Sequence, residues 1–100
     1  MGTEQLTALL LIRAVYLVIA DRLPQAVAYL RESARLATQI GDNYILGRAL
    51  LNLADVLAVT DPAAAVDAAR TAAEHMRRAG DRNGLAVAVM NLAEGADRPW

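Results

Sequence analysis

Two asparagines and two carboxylates recur at a fixed spacing in this sequence and offer its most regular polar chemistry. The separation between Asn52 and Asn91 is the same as that between Asp55 and Glu94. An amide side chain presents both donors and an acceptor, so a row of asparagines can hold an extended peptide by its backbone. The same amides can instead bond the backbone of a neighbouring helix and only hold a helical stack together. The residues leave both interpretations open.

Catalytic and metal chemistry have little support in the residue types. Metal sites need several clustered histidine, cysteine or carboxylate ligands, whereas the chain has one histidine and no cysteine. His75 falls near Ala72 and Ala79 on a predicted helix, a position more typical of a boundary packing residue than of a ligand or base. Asp55 and Glu94 are both carboxylates at equivalent positions, and an internal repeat explains this more simply than acid/base catalysis does. We therefore expect no enzyme activity, no cofactor and no metal.

Charge and hydropathy restrict the classes of partner. The chain has a net charge of −1, so it lacks the excess of positive charge that is typical of a nucleic-acid-binding protein. The apolar run at 6–20 is shorter than the roughly 20 residues that a membrane span needs, and Arg13 interrupts it. The absence of cysteine fits a reducing compartment, and the first residues lack the positive region of a signal peptide. We expect a cytoplasmic protein that binds neither nucleic acid nor membrane.

The polar pairs belong to a longer internal repeat. Residues 27–54 align without a gap on residues 66–93, and ten of the 28 pairs are identical. Chance would give roughly three such identities in a chain this rich in alanine and leucine, and a fixed period is typical of repeat proteins. The repeat includes a Gly-Asp pair at 41–42 and 80–81 and an Asn-Leu-Ala triplet at 52–54 and 91–93.

Helical periodicity predicts an all-α fold of five helices, at about residues 3–20, 24–40, 43–59, 62–79 and 82–94. We predict that Thr3, Asp42 and Asp61 cap helices, and that Gly41 and Gly80 end them in the left-handed conformation. Connections this short require consecutive helices to be antiparallel. The predicted inner residues of the third helix are Leu46, Ala49, Leu50, Leu53, Ala54 and Leu57.

The repeated residues are similar to those of the tetratricopeptide repeat family, in the longer form of its repeat. Asn-Leu-Ala inside a helix, the Asp61-Pro62 turn and a closing Gly-Asp carry the resemblance. It implies an antiparallel helix-hairpin α-solenoid of about two and a half repeats, with units at about 3–41, 42–80 and 81–100 in one domain. The chain departs from the family where Arg13 stands at the position of Leu53 and Leu92.

The resemblance also implies a binding surface. The first helix of each unit would face a concave groove, and the partner-binding residues there would be Arg48, Asn52, Asp55, Asn91 and Glu94. The chain resembles repeat segments appended to bacterial transcriptional regulators, which implies a regulatory protein-interaction module.

The first helix suggests a second surface, because it is apolar on all sides and something must cover it. Its predicted interface residues are Leu11, Val15, Val18 and Ile19. This surface would accept an apolar helix, the same surface of a second copy, or a neighbouring repeat unit. The leading hypothesis is a module that binds a peptide, a helix or itself through the concave face. The alternative is a self-assembling structural dimer built on the first helix.

Overall fold

The computed structural model of this protein describes the backbone of residues 2–97 and the side chains of residues 2–93. Over that range the chain forms five α-helices and no strand, which confirms the predicted all-α class. The helices are α1 Thr3–Ile19, α2 Leu23–Ile40, α3 Asn43–Leu57, α4 Pro62–Ala79 and α5 Arg82–Asp97. Within this described part of the chain, no helix has the length and apolar content required to cross a membrane.

The helix ends follow the predicted signals at the repeated Gly-Asp pairs. Gly41 and Gly80 have φ of 70° and 72°, the left-handed conformation in which a Cβ would be strained. The Asp42 carboxylate accepts a hydrogen bond of 3.0 Å from Ile45 N, and the Asp61 carboxylate accepts one of 3.2 Å from Ala64 N. These contacts satisfy backbone donors that have no partner within the helix.

The prediction that Thr3 caps α1 is wrong. The chain is extended at Gly2, so Gly2 is the capping residue and makes no side-chain bond, while Thr3 is already helical. The carbonyl oxygen of Thr3 accepts the hydroxyl of Thr7 at 2.7 Å. Four of the ten helix boundaries differ from the prediction by one to three residues, as helix ends commonly do, and the other six coincide with it.

Each helix packs against the next one along the chain, and α3 also contacts α1 and α5. No Cα atom of α2 lies within 8 Å of one in α4. The third helix is therefore the element that all the others share.

Two groups of buried side chains form the core. Ala14, Leu30 and Leu53 join α1, α2 and α3. The second group joins α3, α4 and α5 and consists of Leu51, Ala72, Ala73, Met76 and Ala88. Burial of these apolar surfaces is the main stabilising term of the fold.

The pattern of burial on α3 differs in part from the prediction. Leu46, Ala49, Leu53 and Ala54 are buried as expected, whereas Leu50 and Leu57 are only half-buried. Leu51 and Gly47, which the prediction omitted, are buried against α4. The reason is that α3 has neighbours on both sides, so its apolar surface is wider than one stripe.

Gly47 shows how closely α3 and α4 approach each other. A Cβ at this position would lie 2.8 Å from Met76 Cγ and 3.4 Å from the carbonyl oxygen of Ala72. The first distance is shorter than any ordinary van der Waals contact, so a larger residue here would displace Met76. Small residues on both helices permit this spacing.

Truncation of Leu53 should destabilise the protein strongly. Leu53 is 6% exposed and joins three helices in the first core group, so Leu53→Ala should lower the free energy of unfolding by about 2–5 kcal/mol. Urea denaturation followed by circular dichroism measures this change. Val59→Ala, at an apolar residue that is 89% exposed, is the control and should have almost no effect. Equal effects of the two substitutions would contradict the assignment of Leu53 to the core.

Candidate functional site

Arg48, a predicted partner-binding residue, is engaged within the fold. Arg48 Nε donates to Asp81 Oδ2 at 2.8 Å, and Arg48 Nη2 donates to Asp81 Oδ1 at 3.0 Å. The guanidinium also lies over the ring of Tyr44, 5.4 Å from its centroid. A two-pronged ion pair of this geometry is among the stronger polar contacts in proteins. Arg48 therefore connects α3 to the start of α5.

Asp81 is the centre of this contact and is itself buried. Its Oδ1 also accepts a hydrogen bond of 3.0 Å from Gly84 N, so the carboxylate caps α5 while it binds Arg48. Burial raises the pKa of the Asp81 carboxyl, but the hydrogen bonds from Gly84 and Arg48 and the arginine charge outweigh it. The net pKa lies below the ordinary value of 3.8.

Two other members of the predicted partner-binding set, which we call the polar row (Arg48, Asn52, Asp55, Asn91 and Glu94), bond each other within the chain. Asn91 Nδ2 donates to Asp55 Oδ1 at 2.9 Å, which connects α5 to α3 a second time. Asn52 is half-buried, and no described residue hydrogen-bonds its side chain. The side chain of Glu94 lies outside the described residues.

The polar row is thus divided between two roles. Arg48, Asp55 and Asn91 make contacts between α3 and α5, and the Asn91 amide bonds a side chain of the neighbouring helix, not its backbone. Asn52 has an amide available to a ligand. The sequence does not reveal this division, because the Gly-Asp pair at 80–81 indicates only a repeat of 41–42 and gives no sign of an arginine partner.

The apolar surface of α1 is larger than the sequence predicted. Val15, Val18 and Ile19 are exposed as expected, whereas Leu11 is half-buried and packs against the first core group. Exposed residues that the predicted interface omitted are Leu6, Leu9, Ile12 and Tyr16. Their signal was present in the sequence, since residues 9, 12, 16 and 19 alternate spacings of three and four and so follow one side of a helix.

We refer to Leu9, Ile12, Val15, Tyr16 and Ile19 as the α1 apolar face. Ile12 is 65% exposed, Tyr16 59% and Ile19 80%. Soluble monomers rarely leave contiguous apolar patches of this kind uncovered, so such a patch marks an interaction surface.

His75 lies at the boundary between core and solvent, on α4. It is half-buried, and its Nδ1–H donates to Asn43 Oδ1 at 2.8 Å, in the tautomer that this contact requires. Among the described residues, no three histidine or carboxylate side chains come close enough together to hold a metal ion.

No family model matches this chain, and no curated protein or solved structure is similar enough to count as a match.

Replacement of Asp81 should change how stability depends on pH. The pKa of Asp81 is lower in the folded than in the unfolded state, so its charge stabilises the fold fully above pH 3.8. This contribution is lost as the pH falls through the pKa of the folded state. Asp81→Asn keeps a capping acceptor but loses the ion pair. This substitution should lower the free energy of unfolding at neutral pH. Below about pH 4, the stability of the variant should decrease less with falling pH than that of the unmodified protein.

Thermal unfolding monitored across a pH series measures both effects. Asp42→Asn is the matched control, since Asp42 occupies the equivalent cap without an arginine partner, and it should cost less stability at neutral pH. If the stability of Asp81→Asn fell as steeply at acid pH as that of the unmodified protein, the proposed role of the Arg48–Asp81 pair would be contradicted.

Loss of the Asn91 side chain should loosen the contact between α3 and α5. Asn91→Ala removes a charge-assisted hydrogen bond at an exposed position, so a local cost of about 0.5–1 kcal/mol is expected. Amide hydrogen exchange in α5 measures the change. Asn52→Ala, at the repeat-equivalent residue, removes no such bond and should leave α5 protection unchanged. Equal protection of α5 in the two variants would show that the Asn91–Asp55 contact does not hold the helices together.

Proposed function

We propose that this chain is a protein-interaction module of the tetratricopeptide-like α-solenoid type and that the α1 apolar face binds a helix of its partner. The observation that carries the proposal is the exposure of seven large apolar side chains on a single helix, α1. Full burial of one such side chain contributes about 1.5–3 kcal/mol. Several together supply the gain needed to offset the entropy cost of association.

The proposed solenoid arrangement is supported by the residues that are buried. Most positions that pack in the family are buried here: Ala14, Leu17, Ala26, Leu30 and Ser33 in the first unit, and Leu53, Ala54, Ala65, Ala69 and Ala72 in the second. Leu57, a further packing position of the second unit, is only half-buried. The order of helix contacts, in which each helix packs on the next and α3 contacts α1 and α5, is also that of stacked helix hairpins.

A helix is the partner element that suits the α1 apolar face. Leu9, Ile12, Tyr16 and Ile19 have the spacing of the contact positions in paired helices, where side chains of one helix fit between those of the other. An amphipathic helix that docks in this way uses anchors at the same spacing. Asn52, which has no partner among the described residues, is available for an additional polar contact.

A second candidate is a symmetric dimer built on α1. The same spacing favours it, because a seam of this kind can pack against its own copy around a twofold axis. In that case Asn52 and Asn91 contribute only to the packing of the helices and bind no partner. The proposed setting is a regulatory protein of the bacterial cytoplasm, which rests on the family resemblance and the absence of cysteine.

A charge placed on the α1 apolar face should abolish association. Ile12→Glu combined with Ile19→Glu introduces two carboxylates that would have to lose their hydration in the interface. Sedimentation equilibrium over a range of concentrations tests self-association, and titration with a synthetic peptide of residues 3–20 tests helix binding. The unmodified protein should show at least one of the two, and the double variant neither.

Val59→Glu is the matched control, because Val59 is 89% exposed and lies outside α1. It should associate as the unmodified protein does. A dimer would favour the second candidate, and peptide binding by a monomer would favour the first. A monomer at high micromolar concentration that binds no apolar helix would overturn both.

A further inference from the structure

A pocket of about 400 Å³ lies between α2 and α4, with α3 as its floor. It exists because α2 and α4 both pack against α3 but do not pack against each other. Leu46, Leu50 and Leu53 of α3 form an apolar floor. The pocket is an open groove on the surface, so a bound molecule would keep one side in water.

The wall formed by α2 is cationic. Arg31 and Arg35 both line the pocket, one helical turn apart. Arg35 is paired with Glu32 on its own helix, whereas no described residue forms an ion pair or hydrogen bond with the Arg31 guanidinium. No carboxylate is among the described residues that line the pocket. The pocket therefore has a positive side with donors available.

The wall formed by α4 is polar. The Thr71 hydroxyl donates to the carbonyl oxygen of Asp67 within the same helix. His75 Nδ1 lies 2.8 Å from Asn43 Oδ1. The pocket thus combines a cationic wall, a leucine floor and a polar second wall.

We propose that this pocket binds a compact amphipathic carboxylate, a small acid with an aliphatic or aromatic body. The acid group would lie at Arg31, because a planar guanidinium matches a carboxylate and can hold it by two parallel hydrogen bonds. Arg35 does not hold the acid in this way, because its Nε and Nη2 already donate to Glu32. The apolar body would cover Leu50, which is half-buried and belongs to the floor. This site uses α2, α3 and α4 and does not depend on the α1 apolar face.

The internal repeat provides a matched control for the arginine. Arg70 is the counterpart of Arg31 in the second copy of the repeat. It is exposed, lies 3.7 Å from Asp67 and does not line the pocket. Substitution of either arginine changes the net charge equally, but only one of them changes the proposed site.

Sodium octanoate is the probe, titrated into ¹⁵N-labelled protein and followed by amide chemical shifts. Octanol and octylammonium have the same apolar body without the acid group. We expect octanoate to shift amides near Arg31, Leu50 and His75 and to bind about tenfold more tightly than either analogue. Arg31→Gln should weaken octanoate binding by about tenfold, and Arg70→Gln should leave it unchanged.

Three results would overturn the proposal. Equal affinity for octanoate and octylammonium would show that the arginines do not select an acid. Shifts confined to α1 would show that the probe binds only the α1 apolar face. Unchanged octanoate binding in a folded Arg31→Gln protein would remove Arg31 from the site. Because Arg31 is exposed, we expect this variant to fold normally, and circular dichroism verifies it.

Discussion

The whole structure depends on the packing of α3, a helix of 15 residues that contacts all four of the others. Leu53 faces the core shared with α1 and α2, and Leu51 faces the core shared with α4 and α5. Gly47 allows α4 to approach closely. A helix with neighbours on two sides must be apolar over most of its circumference, which leaves only a narrow strip for polar residues.

That polar strip is used mostly for internal contacts. Arg48 binds Asp81, and Asp55 binds Asn91. The contact between α3 and α5 therefore relies on polar groups as well as on apolar burial. The arginine has no equivalent in the other copy of the repeat, since Val87 occupies the corresponding position there. Two chemically identical Gly-Asp caps therefore have different surroundings, because only Asp81 has an arginine beside it.

The surfaces left free by this packing differ in chemistry. The α1 apolar face is broad, with the Arg13 guanidinium over its Tyr16 ring, and suits another helix. The pocket between α2 and α4 instead combines leucines with two arginines. The pocket follows from the arrangement of the core, because α3 separates α2 from α4 and holds them at a distance. Interaction with a protein and interaction with a small acid would thus use different helices.

The sequence alone determined the five helices, most of their ends and the class of fold. These features depend on local chemistry: Gly41 and Gly80 accept a positive φ, Asp42 and Asp61 cap a helix, and apolar residues recur at helical spacing. Such signals act within a few residues, so they can be interpreted without knowledge of the tertiary structure.

Only the tertiary structure decided which polar and apolar residues remain available to a partner. Arg48, which the family resemblance placed in a binding groove, pairs with Asp81, 33 positions away. Leu11, which the helical pattern placed on an interface, packs against the core. The pocket lined by Arg31 and His75 has no counterpart in any local motif, because its walls belong to helices that do not pack against each other. Distant contacts depend on how helices pack, and packing is a property of the whole chain.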